Sequence, residues 1–224
     1  MRRFVGATRN EFSDAVMLAQ CDKSISAALH HPIWARVSSG VRLLRVVVGC
    51  FSLYCGGVAV QAQEAIDGRL EYNVKAVSLY AFGRYVTWPE AAFASADSPF
   101  VIGTIGGNPF GDALDRIARK KTLNGRAIVV RAIATPAESA LCHILFVTRT
   151  VPPETEAELF QQAAGKPVLL VGESPGFAER GGIINFYYSG SNVRFELNPD
   201  KSVENKLSLN AKLLTLGTKA ATRR

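Results

Sequence analysis

Along the chain, apolar and polar positions alternate between two periods, one helical and one of short unbroken runs. Leu70, Val74, Val77, Ala81, Tyr85 and Trp88 recur at steps of three and four, the spacing of one helical face. Glu71, Lys75 and Arg84 fall off that stripe, and Pro89 is expected to end the helix. Phe100–Ile105, Ala127–Ile133, Cys142–Val147 and Val168–Val171 are apolar runs of strand length, too continuous for a sheet wetted on one side. Helical segments separate them: one after the Gly106–Gly111 turn through Arg119, a short one opened by Thr135-Pro136-Ala137-Glu138, and one from Pro152 to Ala164 closed by Gly165. After Val168–Val171 come Gly172, Pro175, Gly176, Gly181 and Gly182, then Ile183–Tyr188 and Val193–Leu197 around Ser189-Gly190-Ser191-Asn192. The last two runs predict an antiparallel hairpin. Asn198-Pro199 starts a helical turn, Ser208 is expected to cap a final helix Leu209–Leu216, and Thr218–Arg224 is a frayed basic tail. Strands alternating with helices predict an α/β fold: a Rossmann-like, mostly parallel sheet with helices on both faces and a C-terminal antiparallel hairpin.

The front of the chain breaks this pattern. Val46–Ala62 holds no charged residue, Arg36, Arg42 and Arg45 precede it, and Val60-Gln61-Ala62 suits a signal-peptidase site. Residues 41–62 are therefore expected to be a secretory signal peptide, with a retained anchor as the alternative. Residues 1–40 are expected to be an N-terminal extension or a mis-assigned start, and 63–224 to form a single domain. The cut changes the chemistry. The net charge of +7 falls to about +3, because 19 basic and 16 acidic residues remain from Gln63 onward, so no nucleic-acid partner is indicated. Cys21, Cys50 and Cys55 are lost with the leader, leaving Cys142 as one thiol without an internal disulfide partner, a buried hydrophobe or a redox site.

Catalytic signatures are missing. Gly106-Gly107 lacks the spacing of a dinucleotide fingerprint and the ending of a P-loop, and no Gly-x-Ser-x-Gly elbow occurs. His143 directly follows Cys142, and strand neighbours point to opposite faces, so they make no thiolate-imidazole pair. No catalytic residue, metal site or cofactor is assigned, and no enzyme is expected. Ligands of such sheets sit at the strand carboxyl ends, which makes Gly107, Asn108, Arg149, Glu173 and Phe177 the candidate pocket. The surplus aromatics Tyr80, Phe82, Phe186 and Tyr188 form a candidate partner-binding patch.

Seven ordered blocks carry a family resemblance: Tyr72-Asn73-Val74-Lys75-Ala76, Tyr85-Val86-Thr87-Trp88-Pro89, Pro99–Gly103, Asn108-Pro109-Phe110-Gly111, Cys142–Phe146, Gly181–Phe186 and Val193–Asn198. Together, from about Tyr72 to Leu216, the sequence resembles the YfiR family. The resemblance implies a periplasmic regulator, dimeric in many members, that binds the periplasmic part of an inner-membrane diguanylate cyclase and holds it inactive. Cyclic-di-GMP level and biofilm formation would be the readout. Some members are controlled through disulfides, and Cys142 alone puts an intramolecular switch of that kind in doubt here. A periplasmic module that binds a small molecule in the strand-end pocket is the alternative.

Overall fold

The computed structural model describes residues 68–220; the expected leader, its cysteines and the last four residues of the tail lie outside the described residues. Helix α1 spans residues 68–85 and leads directly into a two-residue strand, β1 (Val86–Thr87). Then follow β2 (Phe100–Ile105), α2 (Ala113–Lys120), β3 (Thr122–Leu123) and β4 (Arg126–Ile133). A 3-10 turn at Pro136–Leu141 leads to β5 (Ile144–Val147), α3 (Pro153–Ala163), β6 (Leu169–Gly172) and the short α4 (Phe177–Arg180). The hairpin β7 (Ile184–Ser189) and β8 (Asn192–Leu197) precedes α5 (Pro199–Glu204), β9 (Ser208–Leu209), α6 (Ala211–Leu216) and β10 (Thr218–Lys219).

The main sheet has the order β10-β8-β7-β6-β5-β2-β4-β3, and β1 pairs with β9 in a separate ribbon. β4, β2, β5, β6 and β7 run parallel, β3 and β8 flank them antiparallel, and β10 lies outside β8 and parallel to it. The chain leaves β2 outward to β4 and returns to β5 on the other side of β2, so the switch point lies between β2 and β5. The expected fold class holds.

Alternation along the central strands builds two cores. Phe100, Ile102, Ile144, Phe146, Leu169 and Val171 face one layer, packed by Leu79 and Phe82 of α1 and Leu114 of α2. Val101, Ile105, Leu145, Val147 and Leu170 face the other, covered by Leu159 and Ala163 of α3 and by Phe177. Period two in the strands thus decides which helix each residue meets. The glycine-rich crossing after β6 has a packing cause. A Cβ at Gly172 or at Gly182 would collide with the Phe177 ring, so bare backbone is what admits that ring.

Several expectations are corrected. The buried face of α1 runs through Lys75, Ala76, Leu79 and Phe82, rotated from the apolar stripe, and Val77 is 39% exposed. The helix stops at residue 85 rather than at Pro89, because Val86 and Thr87 pair with Leu209 and Ser208. That pairing also takes Ser208 out of the capping role. Asn210 caps the last helix instead, its side chain accepting from the Lys212 N–H at 2.9 Å. Thr218 and Lys219 pair parallel to Glu196 and Leu197, so the start of the tail is sheet and not frayed. Cys142 and His143 stand just ahead of β5 and not within it.

Candidate functional site

At the carboxyl ends of the parallel strands, an ion network occupies the expected crevice. Glu173 follows β6 directly and is fully buried, with the Lys75 ammonium 2.5 Å from its Oε2. Its Oε1 accepts from the Tyr72 hydroxyl and from the Arg149 backbone N–H, both at 3.1 Å. The half-exposed Arg149 guanidinium reaches Oε1 at 3.4 Å and Oε2 at 3.3 Å. The Lys75 ammonium also lies 4.7 Å from the Tyr72 ring centre and 5.8 Å from those of Phe186 and Tyr188. Burial works against ionising Glu173, but the Lys75 and Arg149 bonds outweigh it and hold the carboxyl below its ordinary value. Two charges out of water need this many partners to persist.

Of the expected pocket, Arg149 and Glu173 come together, but they bind each other and Lys75. Asn108 is spent on its own turn, its amide donating to the Gly111 carbonyl at 3.0 Å and its carbonyl accepting from Phe110 N–H at 3.1 Å. Gly107 is exposed and itself adopts φ +106°. Phe177 is buried in the opposite core. At the switch point itself, the Thr148 and Thr150 hydroxyls both donate to the Gly106 carbonyl, at 3.1 and 2.9 Å.

The aromatic patch divides the same way. Phe82 and Phe186 are core residues, their rings 5.7 Å apart and stacked, with Phe195 edge-on to Phe82 at 5.1 Å. They cannot present a surface. Tyr80 is half-buried against the core and Tyr188 is half-exposed.

The opposite end of the sheet is open. A groove of about 540 Å³ is lined by Trp88 and Pro89 after β1, Pro199 and Val203 of α5, Leu209 of β9 and Leu214 of α6. Val203 is 73% exposed and Leu214 43%, large apolar side chains that the fold leaves in water. Lys206 adds a basic residue to the lining. The Trp88 indole N–H is buried with no hydrogen-bond partner among the described residues. Sequence reasoning missed this groove because it is assembled from β1, α5, β9 and α6, elements whose limits the local pattern misplaced. Its one signal was Val203, a lone apolar residue in the polar run Asp200–Lys206.

Cys142 and His143 separate to opposite cores, as their adjacency required. The Cys142 thiol is packed against Gly103, and burial pushes it up to about 11, far from thiolate chemistry at neutral pH. Among the described residues no cluster of three or more His, Cys, Asp or Glu side chains could hold a metal, and no helix is long and apolar enough to cross a membrane.

These features define a Rossmann-like α/β domain with a buried ion network at the carboxyl ends of its strands and an apolar groove at their amino ends. The family model that matches residues 72–218 is the YfiR/HmsC-like one, and the chain belongs to that family. It is a family of periplasmic regulators associated with diguanylate cyclases. No curated protein matches the chain.

Proposed function

We propose that this protein is a periplasmic repressor that binds the periplasmic part of an inner-membrane diguanylate cyclase and holds the enzyme inactive, lowering cyclic-di-GMP and biofilm formation. The observation that carries the reading is the family match across residues 72–218. The groove lined by Trp88, Val203 and Leu214 is the surface this reading uses: its lining is largely apolar, and Val203 and Leu214 are exposed. Repression needs only differential binding. A ~100-fold preference for the inactive cyclase corresponds to about 2.7 kcal/mol, within reach of one or two buried apolar side chains. The small-molecule alternative would use the strand-end residues Arg149 and Glu173, which bind each other and Lys75, and homodimerisation is part of the proposal without a defined face.

The test is cellular cyclic-di-GMP in a strain deleted for the gene and complemented with the full chain or with a chain lacking residues 1–62. A rise on deletion reversed only by the full chain supports an exported repressor. Reversal by the chain that cannot leave the cytoplasm contradicts it.

A further inference from the structure

At the amino-terminal ends of the parallel strands, the titratable ring of His143 bridges β2 and the segment that follows β1. Pairing of β2 with β5 begins at Ile102 and Ile144, one step beyond Val101. The Val101 carbonyl accepts from the His143 backbone N–H at 2.9 Å, and the Val101 N–H donates to His143 Nδ1 at 3.0 Å. The ring nitrogen thus stands where a strand carbonyl would continue the ladder. His143 Nε2 lies 3.2 Å from the Ala92 carbonyl, which can only accept. Those two partners assign the neutral ring with its proton on Nε2. The ring is stacked on Phe93 at 4.4 Å and on Phe100 at 4.8 Å. Arg126 lies over the Phe93 ring at 3.9 Å and donates to the carbonyls of Ser95, Ala96 and Ser98 at 2.9, 2.7 and 2.8 Å.

We propose that His143 is an acid-sensitive latch: a second ring proton converts Nδ1 from acceptor to donor, sets it against the Val101 N–H, and releases residues 88–98 from the start of β2. One charged group nearby resists the second proton. From β4 comes Arg126, a cation; Glu90 on the adjoining turn and Asp97 on the loop are exposed; β2, β5 and β6 contribute the apolar Phe100, Ile144 and Leu169. Arg131 and Glu138 act on Cys142, which faces the other core.

Burial lowers the His143 pKa from its ordinary 6.5, Arg126 acts the same way, and the Ala92 bond opposes both. A depressed value in the closed form means that the latch is fully effective above about pH 6.5. It weakens as pH falls through the closed-form value, by up to tenfold per pH unit. Trp88 and Pro89 begin the released segment and line the groove, so acid would remove one groove wall; that consequence rests on the groove being the partner site.

The test is amide hydrogen exchange on the full chain between pH 7.5 and 5.0, corrected for intrinsic rates. Peptides covering residues 88–101 should exchange several-fold faster at pH 5.0 than at pH 7.5, while those containing Glu173 keep their protection. His143→Asn, which retains an acceptor but takes no proton, should lose the pH dependence. Should that variant not fold, NMR titration of His143 in the unmodified chain must give the same midpoint as the exchange. Constant protection of 88–101, a rise spread evenly over the domain, or two different midpoints would overturn the latch. No partner enters this experiment, so its failure leaves the repressor reading standing.

Discussion

The two ends of the sheet handle a buried ionisable side chain in opposite ways. At the carboxyl end, Glu173 stays charged because Lys75, Tyr72 and Arg149 surround it. At the amino end, His143 stays neutral, stacked on Phe93 and Phe100 with one backbone partner on each nitrogen. The first arrangement ties α1 to the end of β6 at the strand ends where ligands of this fold class bind. The second holds a short loop beside an open groove. The end that the fold class marks for ligands therefore carries the buried ion network, and an apolar groove lies at the other.

Breaking the carboxyl end should have the largest effect. Glu173→Ala leaves Lys75 buried without its counter-charge, which costs about 3–5 kcal/mol. Calorimetry should show Tm lower by on the order of 10 °C. The double replacement Lys75→Met with Glu173→Leu should recover most of that loss, since apolar residues need no partner. A double variant as unstable as Glu173→Ala would mean that the network contributes shape rather than paired charge.

A smaller effect is expected at the amino end. Phe93→Leu removes one stacking partner of His143 and the ring beneath Arg126, worth about 1–2 kcal/mol for the two contacts, measurable by urea unfolding. Acid should separate the ends further. The contribution of Glu173 is present above its ordinary 4.5 and is lost as pH falls through its lowered native value. That of His143 begins to fade below about pH 6.5. Stability followed by near-ultraviolet circular dichroism should therefore decline in two windows, the His143 step first and shallower. A single transition below pH 4.5 would erase the distinction.

The smallest effect is expected in the groove. Val203→Asp touches only solvent-exposed surface and should change stability by about 0.5 kcal/mol or less in urea unfolding.

The same contrast explains what the sequence disclosed. Continuous runs such as Val168–Val171 and Ile144–Val147 have one physical solution, burial on both faces, so the parallel sheet was legible. The turn at Gly190 and the caps at Asn198 and Gly165 follow local rules and were legible too. Lys75 was not. A charged residue is assigned to water by default, and only Glu173, 98 residues away, reverses that. Placing Lys75 in water moved the apolar stripe and made Phe82 look exposed. The groove failed for a related reason: Val86–Thr87 and Ser208–Leu209 are too short to show a period, and they become strands only by meeting each other. Arg149 and Glu173 were found because strand ends are predictable, while their role as each other's partners depends on long-range packing.

The most direct test of the central claim measures cyclic-di-GMP in the deleted strain complemented with the unmodified chain or with a folded Val203→Asp, Leu214→Asp chain. The account predicts that the unmodified chain restores a low level and that the double variant, exported at equal abundance with an unchanged Tm, leaves it high. Full repression by the double variant would contradict a brake that acts through the groove.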